Sequence, residues 1–182
     1  MIKPLLLATC LLAGCSTDIE TSSSDGDFAP NAQVMWIIDG DTIEVDVDGV
    51  QTTVRLIGID TPEKTGGFRP AECYGDTATE RMKQLLQPGD GVYLELDREP
   101  RDQYDRLLAY VFGPEGLINE MLVRDGYAAA YRYEPNTSRA EQLEDAQDHA
   151  QEFDLGLWGQ CGGPDVVIES VSLSNLTATR TS

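Results

Sequence analysis

Two aspartates, two arginines and a glutamate are spaced along this chain in a way that suits hydrolysis of a phosphate diester. Asp41 closes the run Ile38-Asp39-Gly40-Asp41, and Asp60, Thr61 and Glu63 follow in Ile57-Gly58-Ile59-Asp60-Thr61-Pro62-Glu63, just after Arg55. Carboxylate oxygens are the ligands that hard divalent ions such as Ca²⁺ and Mg²⁺ prefer. An arginine offers a planar fork of donors that matches phosphate oxygens. A divalent ion offsets the charge that builds during in-line displacement at phosphorus. A glutamate held within reach of a water can orient it or take its proton.

Each residue alone has a plainer reading. Asp39-Gly40-Asp41 is turn chemistry, and a lone Arg55 in a strand pairs with some surface acid. Tyr131 and Tyr133, two apart in an extended segment, are packing residues by default. Tyr110, Tyr127, Trp36 and Trp158 read as structural, and His149 as a solvated residue on the last helix with no dyad or zinc cluster to join. The combination of acids and arginines is what favours chemistry.

Those residues need a scaffold. Gln33 to Ile38 reads as a first strand, and Thr42 to Asp48 alternates, with Ile43, Val45 and Val47 on one face and acids on the other. Asp48-Gly49 is a hairpin signal, and the returning strand runs from Gln51 to Gly58. A helix is expected from Gly75 to Gln87, with a capping box from Thr77 and Glu80, a buried stripe of Ala78, Met82, Leu85 and Leu86, and a stop at Pro88-Gly89. Val92 to Asp97 alternates again through Val92, Leu94 and Leu96, and Leu107 to Phe112 forms a fifth strand. Leu117 to Arg124 is a short helix. A last helix, capped by Ser138 and Glu141, buries Leu143, Ala146, Ala150 and Phe153. This order predicts an α+β fold: a five-stranded, partly open Greek-key barrel of the oligonucleotide/oligosaccharide-binding (OB) type, with three helices.

Five segments, Ile38 to Thr42, Arg55 to Glu63, Asp102 to Arg106, Tyr131 to Asn136 and Leu157-Trp158, together resemble the staphylococcal (thermonuclease) nuclease family, in its order and close to its spacing. The resemblance implies that Asp41 and Asp60, with the Thr61 carbonyl, hold Ca²⁺. It implies that Glu63 serves the attacking water, that Arg55 and Arg106 grip the scissile phosphate, and that Tyr104, Tyr131 and Tyr133 flank the nucleotide. It also implies cleavage of DNA and RNA that leaves 3′-phosphate ends. Two positions depart from the family pattern: Gln103 stands where a lysine is common, and Asp105 where a glycine is usual. The alternative reading is a catalytically silent module of the same shape that binds nucleic acid or a protein partner. Relatives of that kind lose the acids and arginines present here. An oligosaccharide- or cell-wall-binding barrel is a more distant possibility, favoured by the acidic charge alone.

Residues 1–15 read as an address. Leu5 to Ala8 and Leu11 to Ala13 are apolar, and Leu12-Ala13-Gly14-Cys15 resembles a lipobox that leaves Cys15 lipidated. Residues 16–31 lack the hydrophobicity to fold and read as a tether; 32–164 form one domain, and 165–182 a tail without an assigned role. The chain is therefore expected to be exported, lipid-anchored to the cell envelope and monomeric. With Cys10 lost and Cys15 acylated, Cys73 and Cys161 remain in a compartment where disulfides persist. Their pairing is expected over free or metal-binding thiols, which lack the spacing of a zinc site. Closing so long a loop is worth about 4 kcal/mol in the chain-entropy model. The net charge of −19 across 182 residues opposes long-range attraction to a polyanion. A nucleic-acid substrate then requires a local positive site within an acidic shell, or salt high enough to screen the repulsion.

Overall fold

The computed structural model describes residues 28–67 and 69–164. Cys15 and the address segment, the tether up to residue 27 and the 165–182 tail lie outside the described residues.

The first three strands form a meander: β1 (Ala32–Ile37), β2 (Thr42–Val47) and β3 (Val50–Leu56). Asp48 and Gly49 turn the β2–β3 hairpin with φ of 53° and 84°, the left-handed backbone such a two-residue turn needs. A two-residue strand, β4 (Ile59–Asp60), follows, and then helix α1 (Gly75–Leu85). Strands β5 (Gly91–Arg101) and β6 (Leu107–Gly113) pair antiparallel, and β5 adds to β1. Closure comes from β3 and β6, which run parallel with Val54, Arg55 and Leu56 opposite Leu107, Leu108 and Ala109. The five longer strands thus make a closed mixed barrel, the OB-like α+β fold expected.

Ile43, Val45, Val54, Leu56, Tyr110 and Val111 fill its interior, none showing measurable exposure; burying a large apolar side chain contributes roughly 1.5–3 kcal/mol. After β7 (Gly116–Leu117), helix α2 (Ile118–Arg124) carries Asn119 in its first turn, whose buried amide accepts from the Val111 N–H at 2.9 Å and donates to the Ile57 carbonyl at 2.8 Å. Strand β8 (Ala129–Ala130) pairs with β4, and α3 (Ala140–Glu152) packs against the barrel through Leu143 and Ala146. A fourth helix, α4 (Leu157–Cys161), adds to the three expected; five residues carry too little periodicity to announce it.

Several local expectations change. Helix α1 starts at Gly75 with Tyr74 as its cap residue at φ 77°, so Thr77 already lies inside the helix and caps nothing. Ser138 likewise lies outside α3, whose cap residue is Arg139, and its N–H donates to Asp97 Oδ2 at 2.9 Å instead. Phe153 ends α3 as an exposed residue, and Leu96 and Trp36 are also exposed. A register shift between Val34 and Trp36 marks the irregular stretch of β1 that carries Trp36. Glu44, on the face expected to meet water, is buried and accepts the Thr53 hydroxyl at 2.8 Å.

Candidate active site

Arg55 stands mid-barrel, opposite Thr42 of β2 on one side and Leu108 of β6 on the other. Its Nη1 donates to the carbonyls of Leu56 (2.7 Å) and Ile59 (3.1 Å). Its Nη2 reaches Asp60 Oδ1 at 2.8 Å and Asp41 Oδ2 at 3.1 Å. One guanidinium therefore gathers both candidate metal carboxylates, although they are far apart in sequence.

Asp41 is set by a tight turn in which the N–H groups of Ile38 and Asp39 both donate to the Thr42 carbonyl. Gly40 lets this turn touch the Asp60–Thr61 segment, because a Cβ there would lie 2.8 Å from Thr61 Oγ1. Asp41 Oδ2 accepts the Thr61 N–H at 3.0 Å and its hydroxyl at 2.8 Å. Thr61 therefore spends its amide and hydroxyl on Asp41. Burial, and then the charge of Asp41, push the neighbouring Asp39 carboxyl above its ordinary value.

Asp39, Asp41 and Asp60 outnumber the single guanidinium among them, and every donor here is oxygen. That chemistry fits a hard divalent cation. Among the described residues no three His, Cys, Asp or Glu side chains close a metal site. The carboxylate pair would therefore need the Thr61 carbonyl and water to complete a coordination shell.

Glu63 lies just beyond, and the amino group of the adjacent Lys64 donates to the Ile38 carbonyl, tying this segment to the Asp41 turn. Its carboxylate is engaged by Arg69, whose Nη2 is 2.6 Å from Oε1. Arg106 closes the loop after β5. Asp102 Oδ1 accepts the N–H groups of Tyr104 (2.9 Å) and Arg106 (3.0 Å), and Oδ2 takes Arg106 Nε at 2.7 Å. Burial raises the Asp102 carboxyl, but these bonds, led by the Arg106 side chain, outweigh it and leave it below the ordinary carboxylate value. Both terminal nitrogens of Arg106 lack a protein partner among the described residues. Asp105 takes φ 64°, a conformation Asp tolerates better than most residues. Its carboxylate pairs with Arg101 at 3.3 Å.

Arg55, Arg106, Tyr104, Tyr131 and Tyr133 line one open cleft of about 450 Å³, together with Gln103 and Glu99. Asp41, Asp60 and Glu63 do not line it; Arg55 joins the two groups. Tyr131 and Tyr133 stack with centroids 6.4 Å apart, and the Arg106 guanidinium sits over the Tyr104 ring at 5.6 Å. All three tyrosines are exposed, so each offers an aromatic face to a ligand rather than to the core. Buried Asn136 bonds both backbone groups of Glu99 at 2.8 Å and so fixes the tyrosine segment to the end of β5. Arg69 and the buried Glu72 were not legible as site residues, because each acts on backbone or on another charge rather than on a ligand, and Asn136 was visible only as the last residue of the Tyr131–Asn136 segment. Asp102 was visible only as the first residue of the Asp102–Arg106 segment.

A sequence model described as staphylococcal nuclease homologue matches residues 53–160. That span holds Arg55, Asp60, Glu63, Arg106 and the three tyrosines; Asp41 lies before it. The thermonuclease of Staphylococcus hyicus is 41% identical over 126 residues, covering 69% of this chain and 74% of the relative. The thermonuclease of Staphylococcus intermedius is 43% identical over 125 residues, with the same coverage. Endonuclease YncB of Bacillus subtilis is 40% identical over 127 residues, covering 69% of this chain and 60% of the relative. The chain belongs to the staphylococcal nuclease family, and is a hydrolase of the nuclease class.

Proposed function

We propose that this protein is a Ca²⁺-dependent, extracytoplasmic nuclease that hydrolyses phosphodiester bonds of DNA or RNA and leaves 3′-phosphate ends. The observation that carries this reading is the position of Arg55, which β2 sets against the Asp41–Asp60 pair while the closure of β3 on β6 places it on the same cleft as Arg106. Asp41, Asp60 and the Thr61 carbonyl would hold Ca²⁺, which would supply positive charge to a phosphoryl oxygen.

The chain's own residues do the rest. Arg106, with two nitrogens open, takes phosphate oxygens first, and Arg55 joins by exchanging a carboxylate contact for one to phosphate. Glu63 orients the attacking water and accepts its proton; a bond from phosphorus to the water oxygen forms as the bond to the 5′-oxygen breaks, and the departing 5′-oxygen takes a proton from solvent to become a hydroxyl. Tyr104, Tyr131 and Tyr133 hold the nucleotide by stacking and by their hydroxyls. Preorganised donors aimed at developing charge are the strongest contribution such a site can make. The same reading has Cys15 carrying lipid that anchors a monomer to the envelope, which labelling with a radioactive fatty acid tests against a Cys15→Ala variant.

The deciding experiment uses the full chain, disulfide intact, on labelled single-stranded DNA with Ca²⁺, with Mg²⁺ and with a chelator. Cutting that needs Ca²⁺ and is lost in Glu63→Gln supports the proposal. A folded protein that leaves the strand whole with every metal would mark a binding module instead.

A further inference from the structure

Glu63 is held by its backbone, and the hold leads to the disulfide. Between β4 and α1, Thr65, Gly66, Gly67, Arg69 and Pro70 are all exposed. The Glu63 backbone itself is held by Glu72, while its neighbours Lys64 and Thr65 are tied to the Ile38 carbonyl and to Asp76. The Glu63 N–H donates to Glu72 Oε2 at 2.9 Å, and the Glu63 carbonyl accepts the Glu72 N–H at 2.8 Å. Glu72 is itself buried. The next residue is Cys73, bonded to Cys161 with a Cα–Cα distance of 5.9 Å.

Cys161 ends α4, and α4 is well anchored. Its first residue Leu157 is fully buried and donates its N–H to the Gly126 carbonyl at 2.8 Å. Gly126 and Gly156 pack backbone to backbone; a Cβ on Gly156 would lie 2.1 Å from the Gly126 carbonyl oxygen. On the other side of Cys73, Gly75 leaves room for Glu63, whose carbonyl oxygen would be 2.1 Å from a Cβ there. A continuous path thus runs from a fixed helix through the disulfide and Glu72 to Glu63. Arg55, Arg106 and the tyrosines hang on different supports: the barrel ladder, Asp102 and Asn136.

We propose that the Cys73–Cys161 disulfide and Glu72 together are a positioning device for Glu63, so that reduction lowers turnover while substrate binding is kept. A dithiol of the thioredoxin type would supply two electrons and two protons, ending as a disulfide and leaving Cys73 and Cys161 as thiols. The kinetic half of this inference rests on the role of Glu63 proposed above; the structural half does not.

The test follows both halves. Hydrogen exchange of the full chain is compared between the oxidised form and a Cys73→Ser/Cys161→Ser variant, and kcat and KM are measured on single-stranded DNA. The Glu63 amide should exchange about tenfold faster or more in the variant, while the Val111 amide, bonded to Asn119 in the core, keeps its protection. Turnover should fall about tenfold or more with KM within about twofold, since a small displacement of a reacting group is enough. Glu72→Ala should reproduce the loss and Glu72→Gln, which keeps an acceptor for the Glu63 amide, should recover most of it. Unchanged exchange at Glu63 overturns the proposal even if no nuclease activity is found. So does a joint rise at Glu63 and Val111, which would make the disulfide a global staple, or a rise in KM that accounts for the kinetic loss.

Discussion

Arg69 pairs with Glu63 through Nε and Nη2, each 2.6 Å from the same carboxylate oxygen. The arginine is more than half exposed and the glutamate about a quarter, so water screens the pair. To offer that oxygen to a water molecule, Glu63 has to leave this contact. Exposed ion pairs hold about 0.2–1 kcal/mol, so Arg69→Gln should raise kcat by up to roughly fivefold with KM unchanged. Steady-state kinetics at saturating Ca²⁺ checks this, and a fall in kcat would give Arg69 a part in the reaction itself.

Arg55 and Arg106 should separate by stability rather than by rate. Each replaced by Met should lower kcat/KM by about 10²–10³-fold, as loss of one preorganised donor does. Removing Arg55 also leaves the buried Asp41 carboxylate without its counter-charge, which costs about 3–5 kcal/mol. The Asp102 side chain is as shielded as that of Asp41, but Arg106 is itself a third exposed and Asp102 keeps two backbone N–H donors, so the loss of Arg106 should cost less, about 1 kcal/mol. Urea denaturation of both variants reads the contrast directly; equal losses would refute it.

Gln103 lines the cleft beside Arg106 and carries no charge. Gln103→Lys should lower KM by adding a cation for a substrate phosphate while leaving kcat close to wild type. An unchanged KM would show that this position does not meet the strand.

The Asp102 carboxyl, held low by its bonds to Arg106, makes a pH signature. A carboxyl whose folded value is depressed contributes stability that is present above its unfolded value and lost as pH falls through the folded one. The stability gap between wild type and Asp102→Asn should therefore be open at neutral pH and close only below the ordinary value of 3.8. Chemical denaturation across the acid range tests it, and a gap that closes above that value contradicts it.

Gly58 takes φ 79°, and a Cβ there would lie 2.5 Å from Leu143 Cδ1. Its carbonyl accepts the Tyr131 N–H at 2.9 Å. Gly58→Ala should cost roughly 2–4 kcal/mol, from overpacking plus a left-handed backbone. KM should rise with it as Tyr131 shifts. Thermal melting and kinetics measure the two effects, and a variant with normal stability would show that α3 can yield.

The fold was readable where period and punctuation agree. The alternation in β2, the Asp48-Gly49 turn and the apolar run of β6 announced themselves. Caps were misread because Thr77 and Ser138 have the right chemistry at positions the tertiary packing shifts by one or more residues. The start of α1 is set by Gly75 lying against the Glu63 carbonyl, a contact made by a segment well upstream. Leu96 continues an apolar alternation in a strand that runs on past the core, so its pattern outlasts its burial.

The sequence by itself determined which residue types are present for chemistry and in what order: the Asp41 turn, the Arg55 to Glu63 run, Arg106 and the tyrosines. The pairing of Cys73 with Cys161, an expectation from the sequence, is present in the structure. Only the tertiary structure decided who holds whom. Parallel pairing of β3 with β6 is a contact between distant segments that no local pattern encodes, and it sets Arg55 and Arg106 on one cleft. The same holds for Arg69 on Glu63, Asp102 on Arg106 and Glu72 beneath Glu63. Hydrogen bonds and ion pairs of this kind depend on distances of a few tenths of an ångström, which the chain sets only when it closes on itself.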